Sequence, residues 1–385
     1  MLQKVILAII GFVIGIGVAY GIFFLLPYSP LHEDIHSISV FPNKKVIGFL
    51  PYWLLSQAKT DYSSITQLSY FGLTIGVDGH IQKFEKPGES DPGWFALQSG
   101  KVDPFLQAAR DNHQSLSLLV FSGDQDAIDS LMKHPITHAK NLMHDVSPLM
   151  RQYHFTDLNI DIERVGEASA SAQQHYTLFL REVKRQMQEQ KLGTVTIDMT
   201  GDSFIKHNLI DPSQIAPIAD FVVVMAYDFH FIGSYVTGPV APLAGVSTVA
   251  EYDIQTAIQK SLAVLPSEKI ILGLPLYGYE WETLSSSPRS AVVPGSGLTA
   301  STKRVQELLA SCTNCHNAFD EQAKESYVTY RDQETGTYHQ IFYPSSTSTK
   351  AKVDYVQQQH LGGLALWALG YESSTVMQPL ASYMH

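Results

Sequence analysis

The chain has 385 residues, of which 45% are hydrophobic and 16% charged, a balance typical of a globular protein rather than a disordered one. Its formal net charge of -11 at pH 7 argues against a nucleic-acid partner, because nucleic-acid binding relies on clustered Lys and Arg side chains. A neutral substrate fits this charge better.

The N-terminus contains a continuous apolar run from Val5 to Leu26, which has the length of a membrane-spanning helix. We expect residues 1–27 to be an uncleaved transmembrane signal anchor, because no A-x-A-like cleavage site follows the run. Lys4 precedes it, so the positive-inside rule places the rest of the chain outside the cytoplasm. The alternative is a cleaved signal, which would make the protein secreted. Residues 28–43 have no clear period and are interpreted as a linker.

Between residues 44 and 385, short β-rich runs alternate with amphipathic helical patterns. About eight strand–helix repeats predict an α/β fold of the parallel (β/α)8 TIM-barrel type. A doubly wound open sheet is the alternative, but no G-x-G-x-x-G loop follows an early strand. The predicted strands are 45–53, 65–75, 115–122, 157–163, 194–200, 221–228, 270–278 and 363–370.

The segment between the seventh and eighth predicted strands is unusually long. Residues about 281–347 contain a helical piece, "STKRVQELLASC", and a hairpin-like piece, "ESYVTYRDQETGTYHQIFYP". We predict that this segment is a small α+β insertion on the rim of the barrel.

The fourth predicted strand, "DLNIDIE", carries polar side chains at every second position. Alternate side chains of a strand point to opposite faces, so Asn159, Asp161 and Glu163 share one face. Glu163 comes last and would lie at the barrel mouth. Two neighbouring acids cannot both ionise cheaply in a partly buried site, and a raised pKa suits a general acid. The alternative for such a strand is a polar face that meets water.

The stretch "TDLNIDIE", which ends at Glu163, resembles a motif of the family-18 glycoside hydrolases, the chitinase type, and especially of their bacterial cell-wall and spore-associated branch. The family motif on the fourth strand is D-G-x-D-x-D-x-E. Asp161 and Glu163 match its last two acids. Asn159 stands for the second Asp, and Thr156 and Asp157 stand for the first Asp and the Gly.

Three further motifs follow in the family's order. "VVVMAYDFH" (222–230) resembles the sixth-strand M-x-Y-D motif, and "LGLPLYGYEW" (272–281) resembles the seventh-strand G-x-P-x-Y-G motif. "GGLALWALG" (362–370) resembles the final strand with its Trp. The resemblance spans nearly all of residues 45–372 and implies the barrel fold with its α+β insertion.

The resemblance implies substrate-assisted retaining catalysis, in which the substrate's N-acetyl group attacks the anomeric carbon and no protein nucleophile is needed. Glu163 would be the general acid and then the base, Asp161 would bind the acetamide N–H, and Tyr227 would orient its carbonyl. The resemblance also implies substrate-binding roles for six residues: Asn159, Tyr52, Met225, Asp228, Tyr277 and Trp367. Without the resemblance, the alternative for these residues is ordinary core, packed strand ends or solvated turn.

The chain has two cysteines, which lie in the stretch "CTNCH". We expect a local disulfide between Cys312 and Cys315, provided that the compartment is oxidising. The stretch also fits the C-x-x-C-H pattern of c-type haem attachment, while a zinc site would lack an identified fourth ligand.

Taken with these alternatives, the sequence predicts a glycoside hydrolase that cleaves β-1,4 bonds next to N-acetylglucosamine in chitin oligomers or peptidoglycan. It would need neither metal nor cofactor. Its partners would be an N-acetylated polysaccharide or oligosaccharide and, through the N-terminal helix, the membrane. A non-catalytic glycan-binding chitinase-like protein is the second hypothesis, and a redox protein that uses the C-x-x-C-H stretch is the third.

Overall fold

The computed structural model describes residues 44–59 and 62–384. The predicted anchor, residues 1–27, and the predicted linker, residues 28–43, lie outside the described residues. Within the described ranges, no helix is long and apolar enough to cross a membrane.

The described part of the chain contains fifteen strands. They are β1 (Lys45–Pro51), β2 (Gln67–Thr74), β3 (Phe84–Lys86), β4 (Glu89–Ser90), β5 (Ser115–Ser122), β6 (Asp157–Ile162), β7 (Thr194–Thr200), β8 (Phe221–Met225), β9 (Ile270–Pro275), β10 (Tyr277–Thr283), β11 (Leu298–Ser301), β12 (His316–Asp320), β13 (Glu325–Arg331), β14 (Tyr338–Tyr343) and β15 (Gly363–Trp367). Strands β1, β2, β5, β6, β7, β8, β9 and β15 form a closed parallel barrel in that spatial order. The predicted (β/α)8 barrel is therefore confirmed.

The helices lie between these strands or after the last one, most of them outside the barrel, while Thr302–Ser311 belongs to the insertion. They are α1 (Pro92–Gln98), α2 (Asp103–Asp111), α3 (Gln125–Leu131), α4 (Pro135–Tyr153), α5 (Ala170–Glu189), α6 (Pro212–Ile215), α7 (Ile254–Leu262), α8 (Thr302–Ser311), α9 (Ser346–Gln358) and α10 (Ser374–Met384). Many of them begin at an Asp or Ser whose side chain accepts a hydrogen bond from a backbone N–H of the first turn, as Asp253 does for α7. These caps explain where the helices start.

Alternation along the barrel strands separates two apolar layers. One face of each strand packs against the helices in a large outer cluster, which includes Leu158, Ile160 and Ile162 of β6. The opposite face fills the barrel with a smaller cluster formed by Ile47, Phe49, Phe71, Leu119, Val223, Ile271 and Ala365. The inward side chains near the carboxyl ends of the strands are therefore the ones that reach the mouth.

Asp157, which stands where the family motif has Gly, lies at the opposite end of the barrel interior and is almost fully buried. Its Oδ2 accepts hydrogen bonds from Gln67 Nε2 at 3.1 Å and Ser117 Oγ at 2.7 Å. Its Oδ1 accepts from Thr194 Oγ1 at 2.6 Å and Thr196 Oγ1 at 3.0 Å. Asp157 therefore fills the bottom of the barrel, at the end away from the mouth.

The predicted insertion is a five-stranded sheet in the order β11-β10-β14-β13-β12, and α8 packs on it. The hairpin of β13 and β14 turns where Asp332 accepts backbone N–H bonds from Glu334 and Thr335 at 2.8 Å each. The sheet begins at Tyr277, four residues before the predicted start at 281, so the predicted seventh strand was too long. The predicted seventh strand is divided at Leu276 into the barrel strand β9 and the insertion strand β10.

A buried ion pair ties the insertion to the barrel. Lys352 Nζ on α9 lies 2.8 Å from Glu325 Oε2 on β13, and the two side chains are 1% and 0% exposed. Glu325 Oε1 also accepts the backbone N–H of Val240 at 2.6 Å. The carbonyl of Val240 in turn accepts the N–H of Phe229 at 3.0 Å, which positions the loop that follows β8.

Candidate active site

A cavity of about 770 Å³ opens at the carboxyl end of the barrel strands. Its inner wall is formed by residues at or just beyond four strand ends: Asp161, Glu163, Asp198, Thr200, Met225, Tyr227, Asp228 and Trp367. Phe49, Phe71 and Leu119 of the inner apolar cluster lie at its base. The cavity therefore combines several acids with an apolar surface.

The predicted alternation of β6 places its acids in the cavity. Asn159 and Asp161 face the barrel interior and are 0% and 4% exposed. Glu163 lies one residue beyond the strand, and its backbone N–H donates to the Ser122 carbonyl at 2.9 Å. The row therefore ends with a carboxyl group at the mouth.

Glu163 is held in a setting that favours its protonated form. Burial raises the pKa of its carboxyl above the ordinary value, and the nearby charge of Asp228 raises it further. A carboxylic acid with a raised pKa can donate a proton closer to neutral pH.

Asp161 is more deeply buried than Glu163. Burial raises the pKa of its carboxyl well above the ordinary value, and the charges of Glu163 and Asp198 add to this effect. Among the described residues, its Oδ1 has no hydrogen-bond partner. That oxygen is therefore buried without a protein partner in the described part of the chain.

Tyr227 and Asp228 follow the end of β8, which stops at Met225 rather than at the predicted residue 228. Asp228 has a φ of 59°, so the chain leaves the extended conformation here. Its Oδ1 accepts hydrogen bonds from the hydroxyl groups of Tyr277 at 2.6 Å and Tyr279 at 3.1 Å. Burial raises the pKa of the Tyr227 hydroxyl well above its ordinary value, so it stays a hydrogen-bond donor.

Aromatic rings form the apolar side of the cavity. Trp367 ends β15, and its ring contacts Phe71 at 5.1 Å, Phe49 at 5.8 Å and Trp53 at 6.2 Å between ring centroids. Tyr52 follows β1 and packs edge-on against Trp53 at 5.0 Å. Such a surface suits the apolar face of a sugar ring.

All of the residues predicted from the sequence to act in the site line this cavity except two. Asn159 lies below it, inside the barrel, and Tyr277 lies behind it, with its hydroxyl directed to Asp228. Trp281, at the end of the seventh-strand motif, is 0% exposed and packs within the insertion.

Sequence reasoning missed Asp198, although "TVTIDMT" shows the same alternation as β6. It also missed the outer rim, where Lys206 Nζ lies 3.8 Å from Asp202 Oδ2 and 3.9 Å from Glu251 Oε2. Glu251 comes from a different loop than Asp202 and Lys206, so no spacing in the sequence brings it to them.

Cys312 and Cys315 are joined by a disulfide, with their Cα atoms 5.7 Å apart. They lie at the end of α8 in the insertion, outside the cavity. Within residues 44–59 and 62–384, no cluster of three or more His, Cys, Asp or Glu side chains could hold a metal ion.

The chain is similar in sequence to several curated proteins. The chain is 26% identical over 312 residues to the cortical fragment-lytic enzyme of Bacillus cereus, which covers 80% of this chain and 65% of that enzyme. It is 26% identical over 255 residues to the cortical fragment-lytic enzyme of Bacillus subtilis (strain 168), with coverage of 64% and 53%. The chain thus spans between half and two thirds of the length of these curated relatives.

Solved structures share the fold at low sequence identity. A Group IV chitinase of Ostrinia furnacalis in complex with allosamidin superposes with a TM-score of 0.75 at 18% identity, covering 89% of this chain and 97% of that one. The spore cortex-lytic enzyme SleL of Bacillus megaterium QM B1551 gives 0.69 at 18% identity, with coverage of 89% and 74%. The model of the glycosyl hydrolases family 18 matches residues 48–372. With that match over most of its length, the chain belongs to glycosyl hydrolases family 18.

Proposed function

We propose that this protein hydrolyses β-1,4 bonds next to N-acetylglucosamine, in chitin-type oligomers or in peptidoglycan. The observation that carries the proposal is the convergence of Glu163, Asp161 and Tyr227 on one cavity with Trp367 on its wall. The relatives named as cortical fragment-lytic enzymes and chitinases support a substrate of this class.

In the first step, Glu163 donates its proton to the glycosidic oxygen while the acetamide oxygen of the substrate attacks the anomeric carbon. The bond between that carbon and the leaving oxygen breaks, and a cyclic oxazolinium-type intermediate forms. The raised pKa of Glu163 keeps the proton available for this step near neutral pH.

Asp161 and Tyr227 orient the acetamide group. Tyr227 donates a hydrogen bond to the acetamide oxygen, and Asp161 accepts one from the acetamide N–H. Burial raises the pKa of the Asp161 carboxyl and so disfavours the charged form that direct attack would need, which suits Asp161 to this orienting role. The substrate's own acetamide therefore supplies the nucleophile.

In the second step, the Glu163 carboxylate removes a proton from a water molecule that attacks the anomeric carbon. The cyclic intermediate opens and regenerates the acetamide, and Glu163 recovers its proton. Two displacements at the same carbon retain the anomeric configuration.

The experiment is product release from N-acetylglucosamine oligomers and from purified peptidoglycan by the full chain, measured by mass spectrometry. Fully deacetylated glucosamine oligomers of equal length are the matched control, because they lack the attacking acetamide. We expect cleavage of at least one N-acetylated glycan and none of the control. Binding without cleavage would favour the glycan-binding hypothesis, and equal cleavage of the control would contradict substrate assistance.

Replacing Asp228 with Asn is expected to move the alkaline limb of the kcat/KM profile to lower pH. The charge of Asp228 raises the pKa of Glu163, so removing that charge lowers this pKa and Glu163 loses its proton at lower pH. The measurement is kcat/KM between pH 4 and 9, beside the exposed control Asp354→Asn. An alkaline limb that stays in place or moves upward would show that this charge does not tune Glu163.

We also propose that residues 1–27 anchor the protein in the membrane with the barrel outside the cytoplasm. The apolar run from Val5 to Leu26 and the single Lys4 before it support this. The full chain should remain in membrane pellets after an alkaline carbonate wash, and a chain lacking residues 1–27 should not. Release of the full chain by the wash, or removal of the segment found by N-terminal sequencing, would contradict the proposal.

A further inference from the structure

The barrel places a second buried acid beside Asp161. Strands β6 and β7 pair in parallel with Asn159 opposite Thr196 and Ile160 opposite Ile197. Continuing this register by one residue brings Asp161 beside Asp198. Both side chains face the barrel interior and line the cavity, and they are only 4% and 3% exposed.

Each of these two acids has an oxygen without a protein partner. Among the described residues, Oδ1 of Asp161 and Oδ1 of Asp198 accept no hydrogen bond. Burial raises the pKa of the Asp198 carboxyl well above its ordinary value, while the Asn159 amide acts against this shift and the charge of Glu163 adds to it. Two adjacent buried carboxyl groups cannot both ionise cheaply, so the favourable state of the pair holds one proton.

The groups around Asp198 fit this state. The titratable side chains that act on it or respond to it are Asp157, Asp161 and Glu163 from β6 and its end, Tyr227 from the end of β8, and Tyr176 from α5. Asn159, the other polar group at this level of β6, is an amide and cannot take up a proton from Asp161. Glu163 is also an acid beside Asp161, but it donates its own proton in the first step and takes one from water in the second, so Asp198 is the neighbour left to hold the proton of Asp161.

We propose that Asp198 is a positioning residue for the reaction, which holds the proton that Asp161 gives up as the cyclic intermediate forms. This inference rests on the proposed function. As positive charge develops on the cyclic intermediate, the proton moves from Asp161 to Asp198, and Asp161 faces the intermediate as a carboxylate. No net charge is added to the buried pair, and the proton returns to Asp161 when the intermediate opens.

The test is Asp198→Asn in the full chain, assayed on the N-acetylated glycan that the wild type cleaves. Asn cannot accept the proton, so we expect kcat to fall at least ~10-fold, with KM changed less than about threefold. The acidic limb of the pH profile should move to higher pH, because Asp161 must then lose its proton to solvent and burial raises the pKa of its carboxyl. The melting temperature at pH 7 should not fall, because the substitution removes a buried acid with an unpaired oxygen.

Moving the acid to the neighbouring strand gives a second readout. The double variant Asn159→Asp/Asp198→Asn restores a carboxyl group beside Asp161. We expect it to recover part of the lost kcat and to move the acidic limb back toward its wild-type pH. Asp253→Asn is the matched control, because Asp253 is also buried but caps α7 outside the cavity through the Thr256 N–H at 2.7 Å. Asp198→Ala also removes the proton acceptor, so the same loss of kcat is expected from it, and it replaces Asp198→Asn if that variant does not fold.

The control Asp253→Asn should match the wild type in kcat and in the position of the acidic limb. If the wild type is active and Asp198→Asn also matches it in both, the proposed function stands and the inference about Asp198 is overturned. A double variant no more active than Asp198→Asn would also overturn it. A wild type inactive on every N-acetylated glycan would refute the proposed function, and this inference with it.

Discussion

Glu163→Gln is expected to lower kcat on N-acetylated oligomers at least ~100-fold, the effect of losing a general acid. Gln keeps the size of the side chain but cannot donate the proton that the leaving oxygen needs. It also cannot serve as the base for the incoming water, so both steps are slowed. KM should change little, because Trp367, Tyr227 and Asp161 remain to bind the sugar.

The control for this prediction is Glu167→Gln, the same substitution on an exposed glutamate four residues further along the chain. It should retain wild-type activity. Glu163→Gln should unfold at the same or a higher temperature at pH 7, because the raised pKa of Glu163 means that its charged form destabilises the fold. Product release at the wild-type rate from Glu163→Gln would remove Glu163 from the mechanism.

The second large effect concerns stability. Lys352→Met should lower the free energy of unfolding by about 3–5 kcal/mol, because it leaves the buried Glu325 without its counter-charge. Glu325 also accepts the backbone N–H of Val240, and the loop between β8 and Val240 supplies Phe229 and Phe231 to the cavity wall. The loss of stability should therefore be accompanied by lower activity at elevated temperature. Urea unfolding and residual activity after heating measure the two effects.

Lys350→Met on the same helix is the matched control. Lys350 is exposed and pairs with Asp354 at 2.7 Å, so its loss should cost about 0.5 kcal/mol or less. The double variant Lys352→Met/Glu325→Gln should be more stable than Lys352→Met, because Gln carries no charge and still accepts the Val240 N–H. If Lys352→Met loses no more stability than Lys350→Met, the buried pair does not hold the insertion to the barrel.

The sequence predicted the barrel because each barrel strand is a short β-rich run, and alternation along β6 separated Leu158, Ile160 and Ile162 from the acids. This alternation is a local property of one strand, so it can be read without the fold. The acid at the mouth, Glu163, follows from its place at the end of the row.

Other features depend on neighbours in space. Asp198 shows the same alternation as Asp161, but its importance comes from the register that brings β7 beside β6. Tyr277 was predicted to bind substrate, whereas its hydroxyl binds Asp228, because β10 leaves the barrel and joins the insertion sheet. Periodicity places a side chain on a face of its own strand and does not show which residue of another strand it meets.

The central claim, substrate-assisted catalysis with Glu163 as the acid and base, is tested most directly by the anomeric configuration of the first product. Proton NMR during hydrolysis of an N-acetylglucosamine oligomer in deuterated buffer distinguishes the two anomers before they equilibrate. The β anomer should appear first, because two displacements at the anomeric carbon retain its configuration. Initial formation of the α anomer would mean that water displaces the leaving group in one step, and it would contradict the mechanism proposed for this site.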